Sequence, residues 1–488
     1  MMGVREPQED LFSYHVDLDK RVRKNHPLRE IVRRVDFTFI RKEVAEHYGY
    51  NGNVSEDPVV VAKMMFLLFY DDVSSERELM RVIAERLDYL WFLGYGLDDE
   101  IPDHSVLSKA RKRWGTKVFQ EFFMRIVSQC VAAGLVDGKK IHVDASLIEA
   151  NVSKDSVVRG SPEWIAALKQ AYQATESKLD DTTTPESKIG VNDQMLSTTD
   201  PDAGLTRMGS GQSRPRDHHH RAVDDAQGVI TAIETTSGTI AENKRLMGLM
   251  EQHASNTSHT VETVVADSKY GTVENYVTCQ QQGITTHMAD VLAKQTDNPR
   301  CRDIFPDKAF EYQAATNTYR CPAGQTLVPR RLHPRRRTWE FHTARGVCDA
   351  CSLRAQCTRA SYGRTSKRHE HQTCLDRARQ QAHSPAAYRD RRRRKHLAEG
   401  SFADAANNHH FKRSRWRRLW RQQIQDFLIA TIQNVRILLK HRPQRSAATG
   451  LPLQNSSGLL IGALLSLLHD NDALKGANNN RGHTFAFS

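Results

Sequence analysis

The chain lacks an apolar run long enough to cross a bilayer. Residues 459–468 are apolar but are interrupted by Gly462 and fall short of the roughly 20 residues a spanning helix requires, so they read as a packing or oligomerisation helix and no membrane partner is expected. The first residues are charged and hold no apolar segment of the kind a secretory leader needs. Cysteine is scarce, 8 in 488 residues, and four of these are grouped. That pattern speaks against a secreted disulfide framework and for a reducing cytoplasm. Acidic residues are in deficit: 58 Asp and Glu face 70 Lys and Arg, a net charge of +12. An excess of this sign favours a polyanionic partner. With 39% hydrophobic residues the chain still permits globular packing, and its length predicts about two to four structural units.

What is present is a recurring placement of carboxylates. An alternating apolar run from Lys140 delivers Asp144 at a strand end and is followed by polar chain from Asn151. A β-branched run from Val261 places Asp267 just past its end, and Glu399 opens a strongly basic helical segment. Three carboxylates in such contexts suggest a two-metal phosphoryl-transfer site, because hard divalent ions prefer carboxylate oxygen and a pair of them serves both the attacking and the leaving oxygen. The run His218, His219 and His220 is a poor metal site, since strand neighbours point to opposite faces. Asp224 and Asp225 fit a turn, with Asp224 held in reserve near the core.

Taken in order with the early helical block (28–35 and 57–68), residues 102–105, 198–203, 220–224 and 266–271, and the cysteine group, these residues resemble a DDE transposase of a bacterial insertion sequence. The resemblance is to the group with a helical N-terminal domain and a cysteine-bearing insertion before the glutamate, and it runs from residues 8–12 to about His441. It implies an α/β fold with an RNase H-like catalytic core. It also implies that Asp144 bridges two Mg²⁺ (or Mn²⁺) ions while Asp267 and Glu399 each help hold one. The implied partner is double-stranded DNA, at element ends and target, bound by a homo-oligomer. Two family features are missing: the basic residue often found seven positions after the glutamate is Ala406 here, and Lys395 occupies the nearest basic slot before it, with Tyr388 eleven positions upstream.

Periodicity alone supports a mixed α/β layer arrangement. Residues 1–136 read as helical and as a DNA-binding domain. Within them 59–68 looks like a buried helix, Ser75 and Glu78 form a capping box, and Asp103 caps a helix carrying Lys109, Arg111, Lys112 and Arg113. Those basic residues belong either to a helix-turn-helix or to the exposed face of an amphipathic helix. The first part of the core is expected over 137–300, with 152–216 as a mobile insertion holding a helix at 163–178, then a hairpin about 225–228 and a helix at 241–253. An inserted cysteine-rich subdomain is expected over 301–385, completion of the core over 386–441 and a tail over 442–488. Apolar positions from Trp416 to Leu439 recur at helical spacing and read as core.

Cys348 and Cys351 suit one side of a tetrahedral structural Zn²⁺, with Cys321 and Cys357 on the other. Unligated thiols are the alternative, and Cys301, Cys374 or His371 are candidate substitutes. The arginine clusters include 330–331 and 335–337, and two of them flank Glu399. Of these, Arg391, Arg392, Arg393, Arg394, Lys412, Arg413, Arg415, Arg417, Arg418 and Arg421 are expected to contact DNA, against the bland reading of a solvated face. The expected function is hydrolysis at element ends followed by strand transfer through the freed 3′-hydroxyl. A nuclease that cuts without joining, and an inactive or domesticated DNA-binding protein, are the alternatives.

Overall fold

Helix α1 (Pro58–Tyr70) is apolar nearly all round and buries most of its residues. Asp57 caps it by accepting from the Val59 amide, and Pro58 supplies a preformed first turn. Arg41 closes on the same carboxylate, so Asp57→Ala removes cap and ion pair together, a cost of about 2 kcal/mol. Helix α2 (Glu76–Glu85) keeps half of its capping box: Ser75 accepts from the Glu78 amide at 3.1 Å, but the Glu78 side chain turns to Arg81. Asp103 accepts from the Ser105 amide at the start of α3 (Ser105–Trp114). Arg111 on α3 departs from the exposed-face expectation: it is buried, paired with Glu76 and stacked 3.8 Å over the Trp416 ring. These helices and α4 (Lys117–Ala132) share one apolar core with residues from Phe402 to Leu438, so the core crosses the boundary expected near residue 136.

The computed structural model describes residues 2, 16–49, 54–153, 156–176, 195–207, 211–289 and 304–441. Residues 8–12, Cys301 and the 442–488 segment with its 459–468 helix lie outside the described residues.

The central sheet is built from β1 (Lys140–Glu149), β2 (Gly204–Arg207), β3 (Ser213–Asp224), β4 (Ile230–Ser237), β5 (Thr263–Ala266) and β6 (Thr285–Met288). β3 runs antiparallel to β1, and its far edge takes first β2 and then β4. On the other side β5 runs parallel to β1 and β6 parallel to β5. The insertion is therefore shorter than 152–216. A helix over Pro162–Glu176 and a small ribbon occupy it, but β2 and all of β3 belong to the sheet. The charged start of β3 stays in the ladder because Arg214 pairs with Glu149 across it at 3.0 Å and Arg216 donates to the Thr206 carbonyl at 2.8 Å.

Chain entry into β1 is fixed by Gly138, whose φ of +75° and contact with His259 leave no room for a Cβ. The Asp224 carboxylate accepts from the Asp137, Gly138 and Ala226 amides, which accounts for that residue structurally. The three histidines diverge as the pleat demands. His219 meets Asp426, while His218 and His220 share the other face and bond to the Ile240 carbonyl and Thr236. One face of the sheet (Ile141, Val143, Ala222, Ala232) packs on helix α5 (Leu246–Thr257) through Leu246 and Leu249. The other (Val223, Ile230, Ile233) packs on Phe123 and Val127 of α4. Each such buried aliphatic side chain contributes about 2 kcal/mol.

Helix α6 (Val273–Gln281) joins β5 to β6. The segment before Glu399 forms an antiparallel meander of β7 (Glu311–Gln313), β8 (Thr318–Arg320), β9 (Thr326–His333), β10 (Thr338–His342) and β11 (Ser366–His369). It has its own small core of Phe310, Tyr319, Leu327 and Phe341. Helices α7 (Gln372–Ala382) and α8 (Pro385–Arg394), a π turn over Lys395–Glu399, α9 (Gly400–Asn408) and α10 (Leu419–Lys440) complete the described chain.

Candidate active site

Parallel pairing sets His142 level with Val265, so two residues further along the chain Asp144 and Asp267 come level; Asp144 lies inside β1, which runs on to Glu149 because β3 pairs it throughout, and not at the strand end expected from the alternation. Asp267 stands just past β5 because its carboxylate accepts from the Lys269 amide at 2.9 Å and caps the short turn over Ser268–Tyr270.

Helix α8 delivers Glu399 to these strands and is pinned on three successive contacts. Asp390 meets His287 at 2.7 Å and Lys140 at 3.1 Å. Arg393 meets Asp225 at 2.7 Å, and His142 meets the same carboxylate at 2.7 Å. Arg394 spans Asp144 at 3.1 Å and Glu399 at 2.8 Å. Residues four apart share a face of an α-helix, which would set Lys395 beside Glu399. The π turn inserts one residue into that spacing and brings Arg394 there instead. The basic neighbour of Glu399 is therefore Arg394 and not Lys395.

The Asp144 side chain is only 13% exposed, whereas that of Glu399 is 48% exposed. Burial pushes the Asp144 carboxyl up, Arg394 and the Ala145 amide oppose it, and Asp267 and Glu399 add to the upward push. Burial likewise raises the Tyr270 phenol well above its ordinary value, reinforced by Glu242, Asp144 and Asp267. Its hydroxyl has no hydrogen-bond partner among the described residues. Lys412 donates to Ser146 at 2.6 Å, two residues along β1 from Asp144 and on the same face.

Beneath the carboxylates lies a buried network that linear sequence did not reveal. Arg221 stands opposite Asp144 in the β1–β3 ladder and is fully buried. Its guanidinium donates to Ser401 at 3.0 Å and Gln433 at 3.2 Å, and stacks 4.0 Å over Phe402. It also donates to His219 at 3.2 Å, which in turn meets Asp426 at 2.9 Å. Burial pulls Arg221 down to about 9, so it stays charged at neutral pH and fastens the turn after Glu399 to the strand beside Asp144.

The basic set around Glu399 divides. Arg394 faces the carboxylates. Arg415 is spent on Asp72, the Val73 carbonyl and the Phe69 ring, and Arg418 on Asp202, so both departures from the DNA-contact expectation follow from tertiary partners. Arg391 donates to the Ala382 carbonyl, Arg393 to Asp225, Arg417 to the Asn151 carbonyl, and Arg421 lies over Trp420. Arg392, Lys412 and Arg413 remain on the surface.

In the meander, Cys321, Cys348, Cys351 and Cys357 line one cavity of about 30 Å³ and none is in a disulfide. Burial pushes the Cys357 thiol up; Arg364 opposes this, and the other three sulfurs add to it. The Gln325 amide donates to the Cys321 sulfur at 3.3 Å, a contact that suits a thiolate. Cys374 packs against the central core and His371 faces a different groove, so neither substitutes for one of the four. As placed, no three His, Cys, Asp or Glu side chains among the described residues are gathered tightly enough to hold an ion. In the acidic site a guanidinium stands between two of the carboxylates, which marks it as a place that attracts a cation. Its donors are all hard oxygens and fit Mg²⁺ or Mn²⁺.

Two family models match this chain: "Transposase domain (DUF772)" over residues 16–113 and "Transposase DDE domain" over residues 320–439. The second covers Glu399 and the four cysteines but not Asp144 or Asp267. No curated protein matches. Among solved structures, a Mos1 transposase paired-end complex with left transposon end is 10% identical, covers 51% of this chain and 64% of that chain, and gives a TM-score of 0.16. A piggyBac transposase synaptic complex with hairpin DNA is also 10% identical, with 93% and 84% coverage and a TM-score of 0.24. The chain spans less than two thirds of the Mos1 chains it matches. These two matches, to the N-terminal helices and to the Glu399 segment, support a DDE transposase of an insertion sequence.

Proposed function

We propose that the protein hydrolyses phosphodiester bonds at the ends of its DNA element and joins the freed 3′-hydroxyl to target DNA, with Asp144, Asp267 and Glu399 as the reactive centre. The observation that carries this reading is the meeting of Asp144, level with Asp267, and Glu399 through one guanidinium, from segments far apart in sequence. The strand order, three antiparallel strands flanked by two parallel to β1, supports an RNase H-like core. In the first step water attacks phosphorus and the 3′-oxygen leaves, taking a proton; in the second that hydroxyl attacks a target phosphodiester and expels a target 3′-oxygen. Mg²⁺ or Mn²⁺ ions bound by the three carboxylates would supply charge stabilisation for both oxygens. Asp144, far more enclosed than Glu399, would hold an ion together with Asp267 and Glu399, and Lys412, bonded to Ser146 two residues along the strand, offers positive charge to the scissile backbone. Synapsis of two element ends calls for a homo-oligomer on DNA. The experiment that tests this reading is a strand-transfer assay with Mg²⁺ and candidate ends; cutting without joined products would leave a nuclease.

Arg394 competes for the same oxygens as the ions. An ion pair of this partly exposed kind is worth about 1 kcal/mol, so Arg394→Gln is expected to lower the Mg²⁺ concentration for half-saturation roughly fivefold. Calorimetric titration of the unliganded variant checks this directly. An unchanged or higher requirement would make Arg394 a support of the ion site rather than a rival to it.

The four cysteines are proposed to hold one structural Zn²⁺. Metal analysis of protein purified without chelator should return about one zinc per chain. No zinc, with all four thiols freely reactive in the folded protein, would contradict the assignment.

A further inference from the structure

A broad groove of about 1010 Å³ separates the cysteine-bearing meander from helices α6 and α7. We infer that this groove is a second DNA contact, which holds the phosphate backbone of duplex DNA alongside the catalytic carboxylates. The inference rests on the transposase reading and adds a location that the basic residues around Glu399 do not supply.

The charge of the groove is uncompensated. Of its three acidic lining residues, Asp307 is paired with Arg364 and Asp376 with Arg379, which leaves Glu274 alone against the unpaired cations. Lys308, Arg335 and Arg336 line it, are exposed and form no ion pair among the described residues. Arg368 lies flat over the Tyr312 ring at 3.6 Å, a guanidinium held by stacking rather than by a carboxylate. A solvated face needs no such rigidity, yet the Arg335–Arg336 turn is fixed. Pro334 opens a tight turn over Pro334–Arg336, and Arg337 follows it with φ +48°, a left-handed conformation costing an ordinary residue about 1–2 kcal/mol. That conformation is held by Glu370, whose amide donates to the Arg337 carbonyl at 3.0 Å and whose carboxylate takes the Arg337 side chain at 2.7 Å. With Arg337 tied down, its two neighbours are presented in a set geometry, which lowers the entropy cost of gripping a phosphate.

The walls connect directly to the chemistry. Val273 and Glu274, the first turn of α6, line the groove and are separated from Asp267 by the short turn over Ser268–Tyr270 and two further residues. Helix α7 forms the other wall and leads through α8 to Glu399. DNA gripped here is registered against the elements that carry two of the three carboxylates. An acidic protein segment would meet the same charges, but it has no regular phosphate spacing and releases no condensed counterions.

The test uses the full chain and a generic duplex oligonucleotide, with affinity measured across a salt series. Each lost phosphate contact lowers the log–log slope by roughly 0.9, so the double variant Arg335→Gln/Arg336→Gln should lose about 1.8 from it. Arg335→Lys/Arg336→Lys should retain most of the slope, and unchanged melting in both variants separates charge from folding. A wild-type slope in the double glutamine variant, with wild-type protein binding duplex steeply, overturns the groove while leaving the transposase reading intact. Failure of wild-type protein to bind duplex DNA at all overturns that reading and the groove with it.

Discussion

Asp144→Asn, Asp267→Asn and Glu399→Gln are each expected to reduce cleavage on the order of a thousandfold or more, a loss of about 4 kcal/mol of transition-state stabilisation, with duplex binding nearly unchanged. Each substitution removes a charge that would bind an ion and keeps the shape of the side chain. Folding should survive. Asp144 is a buried carboxylate whose charge is opposed by its surroundings, and Arg394 keeps a partner in Glu399 when Asp144 is neutralised. Gel-based cleavage and binding assays on the same preparations check both halves. Wild-type cutting by any of the three takes that residue out of the site.

Arg415→Gln and Arg418→Gln are expected to act on stability and leave DNA affinity nearly intact. The Arg415 side chain is 11% exposed and reaches Asp72 at 2.8 Å; that of Arg418 is 6% exposed and reaches Asp202 at 2.8 Å. Removing one partner strands the other, which costs about 3–5 kcal/mol when the pair is fully buried. Asp72 and Asp202 keep some access to water, so the lower end applies. Arg417→Gln, on an exposed side chain, should change stability by less than about 0.5 kcal/mol. Denaturant melts paired with a salt series separate the cases. Full stability with a reduced salt slope for Arg415 or Arg418 would return those residues to the DNA surface.

The position of Asp267 just past a β-branched run was legible in sequence, whereas that of Asp144 was not, because β1 runs on to Glu149 instead of ending at the carboxylate. The divergence of His218, His219 and His220 followed from pleat geometry alone. The basic segment opened by Glu399 was visible in sequence, but the neighbour of Glu399 was not: one inserted backbone residue in the π turn exchanges Lys395 for Arg394, and no side-chain pattern marks it. The roles of the arginines were hidden for a different reason. Arg415 finds Asp72 and Arg111 finds Trp416 across more than three hundred residues, and Arg221 is buried by a helix about two hundred residues further along the chain. Charge clustering reports solvation only when no distant carboxylate claims the charge. The limits of the insertion were misjudged on the same ground, since Arg214 and Arg216 look like loop residues until Glu149 and the β2 carbonyls are placed beside them.

On the proposed function, three carboxylates direct metal-dependent cutting that exposes a 3′-hydroxyl. Nucleotide-resolution mapping of products tests it most directly, using wild-type protein, Mg²⁺ and DNA carrying candidate element ends, with and without chelator. Nicks are expected at the element boundary that carry a 3′-hydroxyl, vanish with chelator and reappear as covalent joints to target DNA. Cleavage that persists in chelator, or that leaves a 3′-phosphate, would contradict it.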